Sequence, residues 1–245
     1  MKPGRVDTHK AKKQWNGLVK KLKELGIGVN IIEGEKGLPD MVFATDQAVI
    51  KGNTAVLSNF KYKERRGETI FYKKWLKEHG FNIINLPKDL YFEGGGDSVW
   101  SSEDLFVGVG FRNSKGVKKY LENILNTRVI EIHLVDPFFY HTDTCFFPLD
   151  SETLFYYPPA ISEKSKNLLK KIFKKNIAVT KKEAFNFALN SLIFGKDVIT
   201  QKGNKKFVFE LKKLGYKSHE IDLTEFAKAG GGIHCSVLTL VKMCV

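Results

Sequence analysis

The chain has 245 residues, 42% of them hydrophobic, and Lys+Arg 40 against Asp+Glu 27 gives a formal charge of +13. That length suits one well-cored domain over residues 1–245, and no stretch reaches the ~20 apolar residues of a membrane span. Three cysteines (Cys145, Cys235 and Cys244) with no CxxC pair argue against a disulfide framework and against structural zinc.

Residues 8–25 read as an amphipathic helix, with Trp15, Leu18, Leu22 and Leu25 on one face and Gly26 as its stop. Residues 29–32 follow as a short strand. Residues 41–50 and 54–60 are strand-like runs joined by a Lys51-Gly52-Asn53 turn, then come a helix at 67–79 and a strand at 82–86. The order strand, strand, helix, strand then recurs. It is read at 97–100, 105–110, 114–125 and 129–135, and again at 144–149, 153–157, 162–173 and 177–179. A further round covers 187–192, 197–200, 204–214 and 217–221, and a last strand begins at Cys235. The units start near residues 41, 95, 144, 187 and 235, a spacing that marks propellers and solenoids. The opening helix and strand can complete the fifth unit. The predicted fold is therefore α/β, a ring of five ββαβ units.

The basic residues scatter along helix faces (Lys12, Lys13, Lys20, Lys21, Lys23) with no arginine-rich arm. This pattern argues against a nucleic-acid partner and fits a field that attracts anions. Residues 1–13 are polar and basic, without the apolar core of a signal peptide. The expectation is a reduced, cytoplasmic protein with no membrane attachment. Oligomeric state stays open, with a homodimer allowed.

The polar residues of interest fall just before or at the first strand of each unit. Asp40 and Asp46 do so in the first, Glu93 in the second, His141 and Asp143 in the third, and Cys235 in the fifth. Equivalent positions in a ring converge on its axis. Gly230-Gly231-Gly232-Ile233-His234-Cys235 places a thiol after a glycine-rich turn, where a nucleophile is readily presented. The competing reading is a buried structural cysteine. His141 suits a general acid and base, and Glu93 suits orienting its imidazole, though Glu93-Gly94-Gly95-Gly96-Asp97 can also be a plain turn. His234 is read as shaping the cysteine turn, and His133 and His219 as structural. Cys145 and Cys244 are read as packing residues.

Asp40, Asp46 and Asp143 can accept from a guanidinium, whose planar fork matches a carboxylate, or can serve as turn and cap residues. Arg66 and Arg112 can pair with a carboxylate at a substrate's other end, or can be ordinary surface arginines. Together, these groups describe a site for free arginine or a near relative.

The same residues resemble the guanidino-group-modifying enzymes of the pentein superfamily. That superfamily includes dimethylarginine dimethylaminohydrolases, arginine deiminases, arginine dihydrolases and amidinotransferases. Val6-Asp7, Ala11 and Gln14-Trp15 resemble the opening helix, and Leu38 to Asp46 resembles the guanidinium segment. Arg65-Arg66-Gly67-Glu68 and Gly110-Phe111-Arg112-Asn113 resemble the segments that grip the α-carboxylate. Glu93 to Asp97, His141-Thr142-Asp143 and the Cys235 segment resemble the catalytic motifs. The resemblance implies a five-bladed α/β propeller, a small guanidino-acid substrate, and no metal or organic cofactor. It implies Cys235, His141 and Glu93 as catalytic and Asp40, Asp46, Asp143, Arg66 and Arg112 as substrate-binding. The family usually has a strand before the opening helix, so the fifth unit's second strand is expected from elsewhere or from a partner chain.

Two positions depart from relatives. Thr45 stands where many dimethylarginine hydrolases carry Glu, and Asp46 where several dihydrolase-type relatives carry Asn. Asp143 resembles the deiminase pattern and favours an unmethylated guanidinium, because a dimethylated nitrogen has no proton to donate to it. The expected reaction is hydrolysis giving citrulline, with a dihydrolase, an amidinotransferase or an RNA-binding pentein as alternatives.

Overall fold

The computed structural model describes residues 6–240. The helix α1 (Thr8–Glu24) opens the chain, with the Asp7 side chain accepting the Lys10 N–H at 3.0 Å and Leu18 and Leu22 buried beneath it. Four three-stranded sheets follow. The first holds β1 (Ala48–Lys51), β2 (Thr54–Leu57) and β3 (Asn82–Asn85). The second holds β4 (Ser98–Ser101), β5 (Asp104–Val109) and β6 (Val129–His133). The third holds β7 (Phe146–Pro148), β8 (Thr153–Tyr156) and β9 (Lys175–Ala178), and the fourth β10 (Leu192–Phe194), β11 (Asp197–Gln201) and β12 (Lys217–Ile221).

Each sheet repeats one topology. The first two strands pair antiparallel, and the third joins the second in parallel. A parallel return requires a crossover. Helices α2 (Thr69–Glu78), α4 (Val117–Leu125), α5 (Glu163–Ile172) and α7 (Lys205–Lys213) supply it, while α3 (Gly94–Asp97), α6 (Lys181–Phe185) and α8 (Thr224–Ala229) are short connectors. Leu76, Leu121, Leu169 and Leu211, one per crossover helix, are each 0% exposed. The repeat read from the sequence is thus a repeat of buried contacts.

The structure departs from the sequence reading in instructive places. Residues 41–50 are not one strand. Two 3-10 turns, Pro39–Val42 and Ala44–Gln47, precede β1. The carbonyls of Asp40 and Phe43 accept from the Arg65 guanidinium at 3.0 and 3.3 Å instead of from a ladder, and Asp46 is turned inward. Asp97 ends α3 rather than starting a strand. Residues 187–191 form a turn, with Phe187 at φ +56° and the Asn190 N–H on the Phe187 carbonyl, so the strand starts at Leu192. Helices α6 and α8 had no counterpart in the periodicity.

The expected fifth unit forms no sheet among the described residues. Cys235 lies in a turn, with the Ser236 and Val237 N–H groups donating to Gly232 and His234. Residues 237–240 and 29–32 pair in no sheet among the described residues. Both segments line an apolar trough of about 710 Å³ against α1, and Trp15, Leu22 and Phe226 share its wall. Cys145 packs as expected at 0% exposure, and Cys244 lies outside the described residues. No helix of the described residues is long and apolar enough to cross a membrane.

Candidate active site

The turns that displace the expected strands carry the polar cluster. Asp46 sits in the turn before β1, Glu93 caps α3, His141 caps the turn Thr142–Thr144 with Asp143 inside it, and Cys235 sits in its own turn. All five are buried, none more than 4% exposed. A strand would alternate side chains between faces. A tight turn instead presents short polar groups together at the start of each unit.

His141 Nε2 lies 2.9 Å from Glu93 Oε2, which leaves Nδ1 for other work. That Nδ1 is 3.7 Å from Asp46 Oδ1. Gly96 lets the three groups close up. A Cβ there would stand 2.4 Å from Asp46 Oδ1 and 2.6 Å from His141 Nδ1. Burial lowers the imidazole pKa, but Asp46 and the Glu93 hydrogen bond outweigh it and lift His141 to about 9. Burial raises Glu93, but the His141 bond and the Arg112 charge hold its carboxyl at about 2. The pair therefore rests as imidazolium and carboxylate at neutral pH.

Cys235 Sγ lies 3.2 Å from Asp143 Oδ2 and 3.1 Å from Asn190 Nδ2. Its carbonyl accepts the Thr45 N–H at 3.1 Å, which ties the thiol turn to the Asp46 turn. Burial pushes the thiol well above its usual range, and Asp143 and Asp46 add to that. The resting sulfur is a thiol. His234 Nδ1 lies 2.9 Å from Asp143 Oδ2 and so braces the acid, consistent with its expected part in shaping this turn.

Two carboxylate oxygens stand out. Asp46 Oδ1 and Asp143 Oδ1 are buried with no hydrogen-bond partner in the protein. Asp97 Oδ1, on a fully buried residue, and Asp40 Oδ1, on a half-buried one, share that condition. Unpaired buried acceptors are costly, so acceptors left open beside a thiol and an imidazolium suit a ligand rich in N–H donors.

The two arginines read from the sequence fare differently. Arg112 pairs with Glu93 at 3.0 Å and lies between the rings of Tyr62 and Tyr140, 4.8 and 4.1 Å from their centroids. Arg66 bonds none of the site's acids. It donates to the Phe60 and Lys61 carbonyls at 2.9 and 2.8 Å and stacks on Tyr91. The neighbouring Arg65 is the arginine at Asp46. It forms an ion pair with Asp46, bonds Glu68 at 2.8 Å and lies 4.5 Å from the Phe60 ring centroid. Sequence reasoning passed over Arg65 and Asn190. The three-residue spacing of Arg65 and Glu68 was the available signal for the first, and nothing local marked the second.

This fold and polar cluster are similar to those of pentein-type arginine-modifying proteins. The chain belongs to the family described as N,N dimethylarginine dimethylhydrolase, eukaryotic, which matches residues 2–242. A bifunctional arginine dihydrolase/ornithine cyclodeaminase of Synechocystis sp. is 38% identical over 237 residues, 95% of this chain and 34% of that protein. The chain thus spans about a third of that relative's length. An N(G),N(G)-dimethylarginine dimethylaminohydrolase of Mycobacterium tuberculosis is 34% identical, over 96% of this chain and 77% of that protein. Among solved structures, the N-terminal domain of ArgZ covalently bound to a reaction intermediate superposes with a TM-score of 0.94 at 36% identity, covering 97% of this chain and 89% of that one. These relatives are named for guanidino-group chemistry, an arginine dihydrolase and a dimethylarginine dimethylaminohydrolase.

Proposed function

We propose that the protein hydrolyses a C–N bond of the guanidinium of free L-arginine or a methylated arginine, giving citrulline and ammonia or an amine. The observation that carries this reading is the pair of open, buried acceptors, Asp46 Oδ1 and Asp143 Oδ1, beside Cys235. Guanidinium N–H groups satisfy both. The incoming cation also offsets the two acids that hold the Cys235 thiol protonated, so substrate binding itself favours the thiolate.

The Cys235 proton passes to solvent as the cation enters, and the thiolate then attacks the central carbon. The C–N bond breaks, and the departing nitrogen takes a proton from His141, leaving an S-alkylthiouronium on Cys235. Neutral His141 next removes a proton from water. The resulting hydroxide adds to the same carbon, and the sulfur leaves as thiolate. Glu93 holds the imidazole in place through both halves. Asp40 supports the guanidinium pocket. Arg112 offers a charge for the substrate carboxylate, with Arg66 on the same rim, since both flank the Lys61–Tyr62 segment.

A second reading is favoured by the 38% identity to a protein that includes an arginine dihydrolase. There the ureido product is hydrolysed again, so that arginine and two waters give ornithine, two ammonia and carbon dioxide. A panel of guanidino compounds, assayed for citrulline, ornithine and ammonia, separates the two. No product from any member would overturn both.

The same reading extends to architecture. Residues 237–240, α1 and 29–32 form a fifth unit of the ring within a single catalytic domain. The trough between the two extended segments is the place of its central strand.

A further inference from the structure

We infer that Asn190 is a catalytic residue of this site, its side-chain amide being the donor that stabilises the Cys235 thiolate. The inference rests on the proposed thiol chemistry and deepens it.

Asn190 is 0% exposed and reaches three parts of the cluster. Its Oδ1 accepts the Cys235 N–H at 3.2 Å. A backbone N–H cannot accept, so this bond fixes which way the amide faces. Nδ2 then points at Cys235 Sγ, 3.1 Å away, and at Asp143 Oδ2 and the Asp143 carbonyl, at 2.9 and 3.2 Å. The Asn190 carbonyl accepts the His234 N–H at 3.2 Å. Gly232 admits this approach, because a Cβ there would lie 2.8 Å from Asn190 Oδ1.

The electrostatic need is plain. A thiolate on Cys235 has the Asp143 carboxylate 3.2 Å away and also feels the charge of Asp46. Both anions oppose its formation. The Gly232 amide offers some relief, and the Asn190 amide is a second, neutral donor that costs no charge burial. One Nδ2 placed between Sγ and Asp143 Oδ2 donates to both and keeps the two negative groups at a fixed separation. A positively charged donor there would fill the place of the substrate cation.

The test measures Cys235 itself. The full-length protein is alkylated with iodoacetamide across a pH series, and the modified residue is read by peptide mass spectrometry, which keeps Cys145 and Cys244 apart. The midpoint of the Cys235 profile should rise by about one unit or more in Asn190→Ala. In Asn190→Asp it should rise at least as far, although that variant preserves shape and the Oδ acceptor. A merely structural clamp predicts the reverse order, with the isosteric variant the milder. Gly232→Ala, which displaces the amide without altering it, should shift the midpoint the same way and serves if an Asn190 variant does not fold. Midpoints within about 0.3 unit of the parent in the folded variants would overturn the inference. A shifted midpoint with no product from any guanidino compound would instead remove the proposed function and leave the thiolate donor standing.

Discussion

Arg65 and Asp46 form an ion pair inside the protein, with side chains only 10% and 4% exposed. The same guanidinium holds Glu68 and two backbone carbonyls, so each of its donor nitrogens is used. Asp46 is thereby fixed by Oδ2, and Oδ1 is left open toward His141. The pair acts as a bracket that sets one carboxylate of the site.

Removing the bracket should be costly. Arg65→Met leaves Asp46 and Glu68 as buried charges without their partner, a change typically worth about 3–5 kcal/mol. Urea unfolding of Arg65→Met against the parent measures it. Arg65→Lys keeps the charge but not the fork, and should fall between the two. Equal stability of all three proteins would show that the bracket has no energetic role.

The His141–Glu93 pair predicts a pH dependence. His141 has a raised pKa, from 6.5 to about 9. Its contribution to folding is therefore complete below 6.5 and fades as the pH rises through about 9. On the proposed route the imidazolium is the acid for the leaving nitrogen, so the basic limb of the rate profile should fall near the same value. Glu93→Gln removes the adjacent anion and should move that limb down by roughly 1–3 units. A limb that stays in place in the variant would show that another group titrates there.

Cys235 and His141 should fail in different ways. Cys235→Ser should leave no measurable turnover, since a hydroxyl beside two acids is a far weaker nucleophile than a thiolate. His141→Gly should form adduct slowly, for want of the acid for the leaving nitrogen, and then stall, for want of a base to activate water. Intact-mass spectrometry after mixing with substrate distinguishes them, with a mass increase in the second and none in the first. Ureido product from Cys235→Ser would remove the covalent route.

Gly96 makes a steric prediction. The Cβ of Gly96→Ala would overlap both Asp46 Oδ1 and His141 Nδ1, so one must move by several tenths of an ångström or more. A displacement of about 1 Å at reacting groups costs on the order of 100-fold in rate. The loss should appear in kcat, with the fold intact by circular dichroism. Unchanged kcat would mean that this close approach is not needed in the reacting state.

Much of the molecule was legible in the residues alone. The ββαβ repeat could be read because each unit carries its own local signals, a tight turn between two apolar runs and then an amphipathic helix. Four units form sheets as expected, and Leu76, Leu121, Leu169 and Leu211 mark the same buried place in each. Asp46, Glu93, His141, Asp143 and Cys235 could be named because each stands near the start of a unit. The turns at residues 41–47 and 187–191 could not be read, since those residues are as apolar as strands.

The sequence by itself determined the repeat, its crossover helices and the residue types that thiol chemistry on a guanidinium requires. Those depend on periodicity and chemical identity, which are local. Only the tertiary structure decided that Arg65 rather than Arg66 holds Asp46, that Asn190 reaches Cys235, and that Asp46 Oδ1 and Asp143 Oδ1 stay unpaired. Arg65 and Arg66 are identical in kind and adjacent in sequence, and Asn190 lies 45 positions from Cys235. What separates them is the direction a side chain takes once distant turns pack together, and direction is fixed by burial and by whichever partner satisfies each polar atom.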